Sequence, residues 1–214
     1  MDITYLGHSS FRIKTKGTTI VTDPFDGKTG IIFPSVEANI VTISHNHHDH
    51  NNYESVKNVK KVVDGPGEYE IMGVSIIGIP TFHDNSKGAK RGKNTIYIIE
   101  SENIRVVHLG DLGHNLKDKV IEGIGDVNVL MIPVGGTYTI GPKDAVSIVK
   151  NFEPQYVIPM HYYDPKLDKK TFGKLEKVET FLKEVGLSTE KTNKLSIKAL
   201  DMGEDQKVVV LESK

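Results

Sequence analysis

Six consecutive residues, His45-Asn46-His47-His48-Asp49-His50, hold four of the chain's nine histidines. Side chains of these types are metal ligands: imidazole nitrogens bind zinc at roughly 2.0–2.1 Å, and a closed structural site needs only four protein ligands. A His-rich surface tract of weak metal affinity would have the same composition. Against that bland reading, residues of the same kind stand at the ends of apolar runs elsewhere. The run 40–44 leads into His45, 76–82 into His83, 104–109 into Gly110-Asp111, and 156–160 into His161. Together with His47, Asp49 and His50 these are too many for one tetrahedral ion. Two ions sharing a bridging carboxylate would use them all, and such pairs, about 3.5–4 Å apart, activate water and clamp both oxygens of a displacement.

The elements that must carry these residues are legible in the hydrophobic patterning. Runs rich in β-branched residues at 3–6, 11–14, 18–22, 40–44, 61–63, 69–71, 74–79, 95–99, 104–109, 127–132 and 156–158 read as strands, with Lys16-Gly17-Thr18 as a hairpin turn. Leu116, Val120, Ile121 and Ile124 recur at helical spacing, and Pro142 fits a first helical position ahead of Ala145, Val146 and Val149. A longer helix is expected from about 171 to 185, with Phe172, Leu175, Val178, Phe181, Leu182 and Val185 on one face and Gly186 as its stop. Lysines 166, 169, 170, 174 and 177 would form its wet face. A last strand pair is expected at 195–200 and 207–211, separated by Asp201-Met202-Gly203-Glu204-Asp205. Strands first, then alternating helices and strands, with no linker-like run, predict one layered α/β domain over residues 1–214. Strands that finish in His or Asp would gather those groups at one edge, where ligand sites of α/β proteins lie.

Composition narrows the function classes. The chain has 214 residues with 27 Lys+Arg against 28 Asp+Glu, a formal net charge of −1, which argues against an obligate nucleic-acid binder relying on phosphate neutralisation. There is no cysteine, which excludes disulfides, thiolate zinc sites and a cysteine nucleophile. No apolar run approaches the roughly 20 residues of a membrane span. The start Met1-Asp2-Ile3-Thr4 shows no signal-like stretch, so a cytoplasmic location is expected.

His-x-His-x-Asp-His after a β-strand resembles the metallo-β-lactamase superfamily. The resemblance extends over nearly the whole chain through Ile3-Thr4-Tyr5-Leu6-Gly7-His8-Ser9, Asp23-Pro24-Phe25, His83, His108-Leu109-Gly110-Asp111, Pro133-Val134-Gly135-Gly136-Thr137-Tyr138-Thr139 and Pro159-Met160-His161-Tyr162. These segments look like a branch of metal-dependent hydrolases similar to the L-ascorbate-6-phosphate lactonase group. The resemblance implies an αββα sandwich with a dinuclear site at one edge. It implies that His45, His47 and His83 hold one metal, that Asp49, His50 and His161 hold the other, and that Asp111 bridges them. His48 is expected to point away. Where the iron-dependent flavodiiron branch has an acidic residue this chain has His47, which favours zinc or manganese hydrolysis over oxygen reduction; the expected cofactor is two divalent ions, zinc first with manganese as the alternative. Softness arguments alone do not choose between these metals and iron.

Flanking residues carry two readings each. Asp23 is either a turn residue before proline or the acceptor that fixes the tautomer of a ligand histidine, or both. His8 either lines the site or is a satisfied buried histidine, and His108 belongs beside the ligands or in the core. His114 edges the pocket or merely starts a helix. Tyr138 and Thr139 contact substrate through their hydroxyls, or their glycine-rich loop is only a turn. Lys87, Lys90, Arg91 and Lys93 form a solvated loop after His83 or attract an anionic group on the substrate.

The leading expectation is a hydrolase in which a metal-bridging hydroxide attacks a lactone or ester of a small anionic or phosphorylated molecule, with Asp49 or Asp111 handling the proton. A phosphodiesterase acting on nucleotides or nucleic acid is the alternative, although no arm or inserted domain for nucleic acid is visible. From another class, the same ligands could serve iron redox chemistry or a non-catalytic metabolite sensor. β-Lactam hydrolysis is not expected without a secretion signal. The expected partner is a small anionic substrate, with no membrane and with self-association left open.

Overall fold

Strands in which every second residue is apolar, or in which all are, must cover one or two buried surfaces. In the computed structural model, which describes residues 1–201, 203 and 205–213, they do so in two packed sheets. The early strands are β1 (Asp2–Gly7), β2 (Ser10–Lys14), β3 (Thr19–Thr22), β4 (Val36–Glu37), β5 (Ile40–Thr42), β6 (Val56–Lys57), β7 (Lys61–Val63) and β8 (Gly67–Ile71). The later ones are β9 (Val74–Phe82), β10 (Lys93–Ser101), β11 (Ile104–His108), β12 (Val129–Pro133), β13 (Tyr156–Met160), β14 (Ser188–Thr192), β15 (Leu195–Ser196) and β16 (Lys207–Leu211). Helices are α1 (Asp118–Ile124), α2 (Pro142–Phe152), α3 (Lys169–Phe172) and α4 (Val178–Val185).

The six-stranded sheet runs β15-β1-β2-β3-β5-β7 and the eight-stranded sheet β14-β16-β13-β12-β11-β10-β9-β8. Alternation divides each strand between two cores. Ile20 and Ile40 of the first sheet join Ile76, Ile99, Val106, Met131 and Ile158 of the second in the layer between the sheets. Val21 and Val41 face outward, under Val36, Val56 and the short β4–β6 pair. On the far side of the second sheet, Ile98, Val107, Leu130 and Val157 lie under residues of α1, α2 and α4. The result is a metallo-β-lactamase-like sandwich in which α1, α2 and α4 cover the eight-stranded sheet, while α3 packs through Phe172 in a separate cluster with Leu167 and Leu175. The outer face of the first sheet is covered by the β4–β6 pair and by loop residues such as Phe33 and Val59. Helices α1 and α2 serve as the crossovers that parallel neighbours β11–β12 and β12–β13 require. Among the described residues, no helix is long and apolar enough to cross a membrane.

The two sheets are tied together just behind the future site. The fully buried Tyr97 of β10 donates its hydroxyl to the Ile43 carbonyl at 2.8 Å, and His108 donates its Nε2–H to the Ser9 carbonyl at 2.9 Å. His108 Nδ1 accepts the Gly110 amide at 3.2 Å, so both of its nitrogens are used inside the core.

Two expectations need correction. The helix expected over 171–185 is split into α3 and α4. The segment between them is extended at Lys177 and is pinned elsewhere: the Glu176 amide donates to the Gly135 carbonyl at 2.7 Å, and its carbonyl accepts from Tyr163 at 2.9 Å. Phe172 and Leu175 form a separate cluster with Leu167 instead of continuing the helical face. Lysines 166, 169, 170, 174 and 177 are exposed as expected. The final strand pair does not pair with itself. β15 joins β1 in the first sheet, whereas β16 joins β13 and the polar edge strand β14 in the second. Of the connection between them, Met202 and Glu204 lie outside the described residues.

Strand direction sets the position of the site. β1, β3 and β5 run the same way, as do β9, β11, β12 and β13, so His8, Asp23, His45, His83, Asp111, the 134–139 loop and His161 all follow C-terminal strand ends at one rim.

Candidate metal centre

Asp111 is the hub. Its Oδ2 lies 3.2 Å from His83 Nε2, 3.2 Å from His161 Nε2, 3.3 Å from His50 Nε2 and 3.9 Å from His45 Nε2. On one side His45, His47 and His83 present donor atoms within 4.8 Å of one another; on the other His8, Asp49, His50 and His161 do the same. His45, His50, His83, Asp111 and His161 are buried, Asp49 is half-buried and His47 is exposed at the mouth.

Backbone geometry at the rim is unusual. His8 (φ 56°), Asp23 (φ 42°) and His161 (φ 52°) all adopt the left-handed conformation that non-glycine residues rarely take, a form of strain that persists only where the surroundings over-determine it. The His161 amide donates to the His8 carbonyl at 3.0 Å, and their rings approach to 4.3 Å between centroids, so the two sheets meet through these residues. Glycine permits the close approach of two flanking loops. A Cβ at Gly113 would overlap the His83 backbone, and one at Gly135 would overlap the His161 carbonyl oxygen.

Behind the donors, Asp23 organises the His45–His50 segment. Its Oδ1 accepts the Ser44 amide at 2.7 Å, while Oδ2 accepts the Ser44 hydroxyl at 2.5 Å and His50 Nδ1–H at 2.9 Å. His45 Nδ1–H in turn donates to Ser44 Oγ at 2.9 Å. Both histidines are thereby left with an Nε2 lone pair aimed at Asp111. This arrangement also explains why Asp23, His45 and His50 cluster closely.

The electrostatics call for positive charge. Burial opposes ionisation of Asp111, yet His161 and His50 hold it well below the usual carboxylate range. Burial likewise opposes a charged His50, and Asp111 and Asp49 push it well above its ordinary value. Asp49 is held low against burial by His50 and by the hydrogen bond from His8, whose Nε2 lies 3.2 Å from Asp49 Oδ2. Burial, reinforced by His161, takes His8 down to about 4. His45 is pushed well down by burial and His50.

The donor set fits metal ions. His45 Nε2, His50 Nε2 and Asp111 Oδ1 are buried without a hydrogen-bond partner, and such orphaned polar groups cost about 1–3 kcal/mol each unless something else satisfies them. A carboxylate oxygen ringed by imidazole Nε2 atoms needs positive charge between them, supplied either by protons on Nε2 or by metal ions.

The site opens into a cavity of about 240 Å³ lined by His47, Asp49, His83, Asp111 and His161, with walls of His48, Arg91, Tyr138, Thr171 and Phe172. His48 is exposed and its Nδ1 pairs with Asp26 Oδ1 at 3.2 Å, at the rim and away from the hub. Tyr138 presents its ring; its hydroxyl donates to the Thr171 carbonyl at 2.6 Å. Two residues expected near substrate are not brought into this cavity. Thr139 donates to its own neighbour's carbonyl, Ile140 O, at 3.1 Å. His114 accepts the Phe82 amide through Nε2 at 3.3 Å and pairs with the Asn115 carbonyl through Nδ1 at 2.8 Å, so it braces the end of β9.

Sequence reasoning missed Asp84, Ser44 and Phe172. Asp84 accepts four amides: Ser86 (2.7 Å) and Gly88 (2.9 Å) on Oδ1, Lys90 (2.9 Å) and Arg91 (2.7 Å) on Oδ2. The signal was present in Asp84-Asn85-Ser86, a side-chain-capped turn composition directly after His83. Burial opposes the charge on Asp84, but these four bonds bring it down to about 2.

Two face-to-face sheets, helices over the second, and a His/Asp cluster at the strand-end rim define a metallo-β-lactamase-like fold. The chain belongs to the beta-lactamase superfamily domain family, which matches residues 2–161. A UPF0173 metal-dependent hydrolase of Methanopyrus kandleri is 28% identical over 194 residues, covering 76% of this chain and 84% of the relative. One from Pyrococcus furiosus is 29% identical over 213 residues, covering 82% and 94%. Among solved structures, a Thermotoga maritima protein described as a candidate Zn-dependent hydrolase of the metallo-β-lactamase superfamily superposes with a TM-score of 0.83 at 42% identity, over 100% of this chain and 99% of that one.

Proposed function

We propose that the protein is a metal-dependent hydrolase of small anionic substrates, with His45, His47 and His83 holding one divalent cation, Asp49, His50 and His161 a second, and Asp111 shared between them. Zinc is the first choice and manganese the alternative. The observation that carries this reading is the convergence of four histidine Nε2 atoms, from three loops at one rim, within 3.2–3.9 Å of one Asp111 oxygen. The names of the similar proteins support the same class.

When bound, the cations supply Lewis acidity toward a carbonyl or phosphoryl oxygen and toward the attacking water. The chain's own groups do the rest. Asp49, ionised and steadied by His8, accepts the proton released as water attacks, and Asp111 is the second carboxylate within reach of the same space. Asp23 keeps His45 and His50 in the tautomer that leaves Nε2 free. Phe172 and Tyr138 wall one side and exclude water, and the cavity of about 240 Å³ suits a small molecule rather than a polymer. A lactone or ester is favoured as the bond cleaved.

The test is a comparison of zinc- or manganese-loaded protein on carboxylated or phosphorylated lactones and aryl esters with its action on bis(4-nitrophenyl) phosphate, with Asp49→Ala alongside. Ester or lactone turnover that falls about 10²–10⁴-fold in Asp49→Ala is expected. Preference for the phosphodiester would replace the substrate class. A fully active Asp49→Ala, or no hydrolysis of either class by protein carrying metal, would overturn the reading.

A further inference from the structure

The loop after His83 carries four cations, and the fold separates one from the rest. Lys87, Lys90 and Lys93 are exposed, whereas Arg91 is half-buried and turned into the mouth of the metal-site cavity. Its guanidinium lies over the Tyr138 ring, 4.7 Å from the centroid, and Nη2 donates to the Thr137 carbonyl at 3.4 Å. Of the chain's three arginines, Arg105 is neutralised by Glu100, whereas Arg12, exposed on β2, and Arg91 form no ion pair among the described residues, and Arg91 alone of these two lines the metal-site cavity. Asp84 lies close in sequence, yet both of its oxygens are engaged by main-chain amides, including that of Arg91 itself. The carboxylate fixes the loop and leaves the guanidinium charge available. A planar guanidinium held on an aromatic face, with N–H groups still free, is a preformed fork for a carboxylate or phosphate, a role lysine does not reproduce.

We propose that Arg91, propped on Tyr138, is the specificity-determining residue of this site and binds an anionic group that the substrate carries apart from the bond being cleaved. Such a substrate is bipartite, with a reactive carbonyl over Asp49 and Asp111 and a phosphate or carboxylate at the cavity mouth. A second cavity of about 410 Å³ adjoins this one and shares His47 and Arg91, and its other charged residues, Asp64 and Lys93, offset one another. Tyr138, which carries the guanidinium, lines only the first cavity of the two, so the anion belongs there. This inference deepens the hydrolase reading above and rests on it for the reactive end only; its test measures binding, so a failure of turnover and a failure of anion recognition are separately visible.

The experiment is calorimetric titration of the zinc-loaded full chain with phenylphosphonate, whose carbon–phosphorus bond is not a substrate, against benzyl alcohol as the uncharged control. Arg91→Met and Arg91→Lys are titrated in parallel. Because Asp84 grips the main chain, both variants keep the loop, and an unchanged zinc content and Tm verify it. The wild type is expected to bind phenylphosphonate at least tenfold more tightly than Arg91→Met does, with Arg91→Lys recovering only part of the loss and benzyl alcohol binding unaffected. Equal phenylphosphonate affinity in wild type and Arg91→Met, as direct capture by the metal alone would give, overturns the proposal. So does a wild type that binds phenylphosphonate no better than benzyl alcohol.

Discussion

Asp23 Oδ2 accepts the Nδ1–H of His50 at 2.9 Å across 27 positions of sequence, and both side chains are fully buried. The bond fixes which imidazole nitrogen faces Asp111, and the same carboxylate reaches His45 through Ser44. Asparagine at this position keeps the shape but has one acceptor. If its oxygen serves the Ser44 amide, its NH₂ faces His50 Nδ1 and favours the opposite tautomer, with a proton on the nitrogen that should be a lone pair. Asp23→Asn is therefore expected to weaken metal binding roughly 10–100-fold. Competition with a chromogenic chelator checks this; unchanged affinity would remove Asp23 from the design.

Gly135 sits where any side chain would strike the His161 carbonyl oxygen. Gly135→Ala should shift the His161 loop, costing about 1–3 kcal/mol of stability as overpacking does. It should also weaken metal binding at the proposed Asp49–His50–His161 site more than at the proposed His45–His47–His83 site. Urea unfolding together with metal analysis tests both parts, and a variant as stable as wild type with full metal content would contradict them.

The Asp84 loop gives a pH signature. A carboxylate held at about 2, below its ordinary 3.8, stabilises the folded state above the ordinary value, and this contribution is lost as pH falls through the folded value. Asp84→Asn retains one acceptor for four amides. Its Tm should lie below that of wild type at neutral pH, and the gap should close as pH falls from about 4 toward about 2. A gap independent of pH would mean that the charge on Asp84 plays no part in holding the loop.

Tyr138 separates ring from hydroxyl. Its hydroxyl is committed to the Thr171 carbonyl, so Tyr138→Phe should lose only about 0.5–1.5 kcal/mol of stability and leave kcat nearly unchanged. Tyr138→Ala removes the face under Arg91 and should raise KM for anionic substrates by severalfold. Steady-state kinetics of the two variants decide it, and a large kcat loss in Tyr138→Phe would return the hydroxyl to the chemistry.

The features visible from sequence were those encoded locally. The His45–His50 tract and the His or Asp closing four of the apolar runs are short patterns, and because strands running the same way place their C-terminal ends together, the rim followed from them. What stayed hidden depends on long-range choices. Polarity cannot announce β14, whose Ser188–Thr192 are mostly exposed at a sheet edge. Patterning cannot say that β15 and β16 enter different sheets. Phe172 has helical spacing with its neighbours, yet the pull of Gly135 and Tyr163 on Glu176 breaks the helix and frees Phe172 to wall the cavity. Thr139 and His114 sit in the right loops, but their polar atoms are consumed by nearby backbone.

The two clusters around Asp111 make a numerical claim that metal analysis can settle. Wild type, His83→Ala and His161→Ala would be loaded with zinc, dialysed and measured by inductively coupled plasma mass spectrometry. Two-metal occupancy requires about two ions per chain in wild type and about one in each variant. A wild-type ratio near one, or variants indistinguishable from wild type, would contradict a dinuclear centre built on these residues.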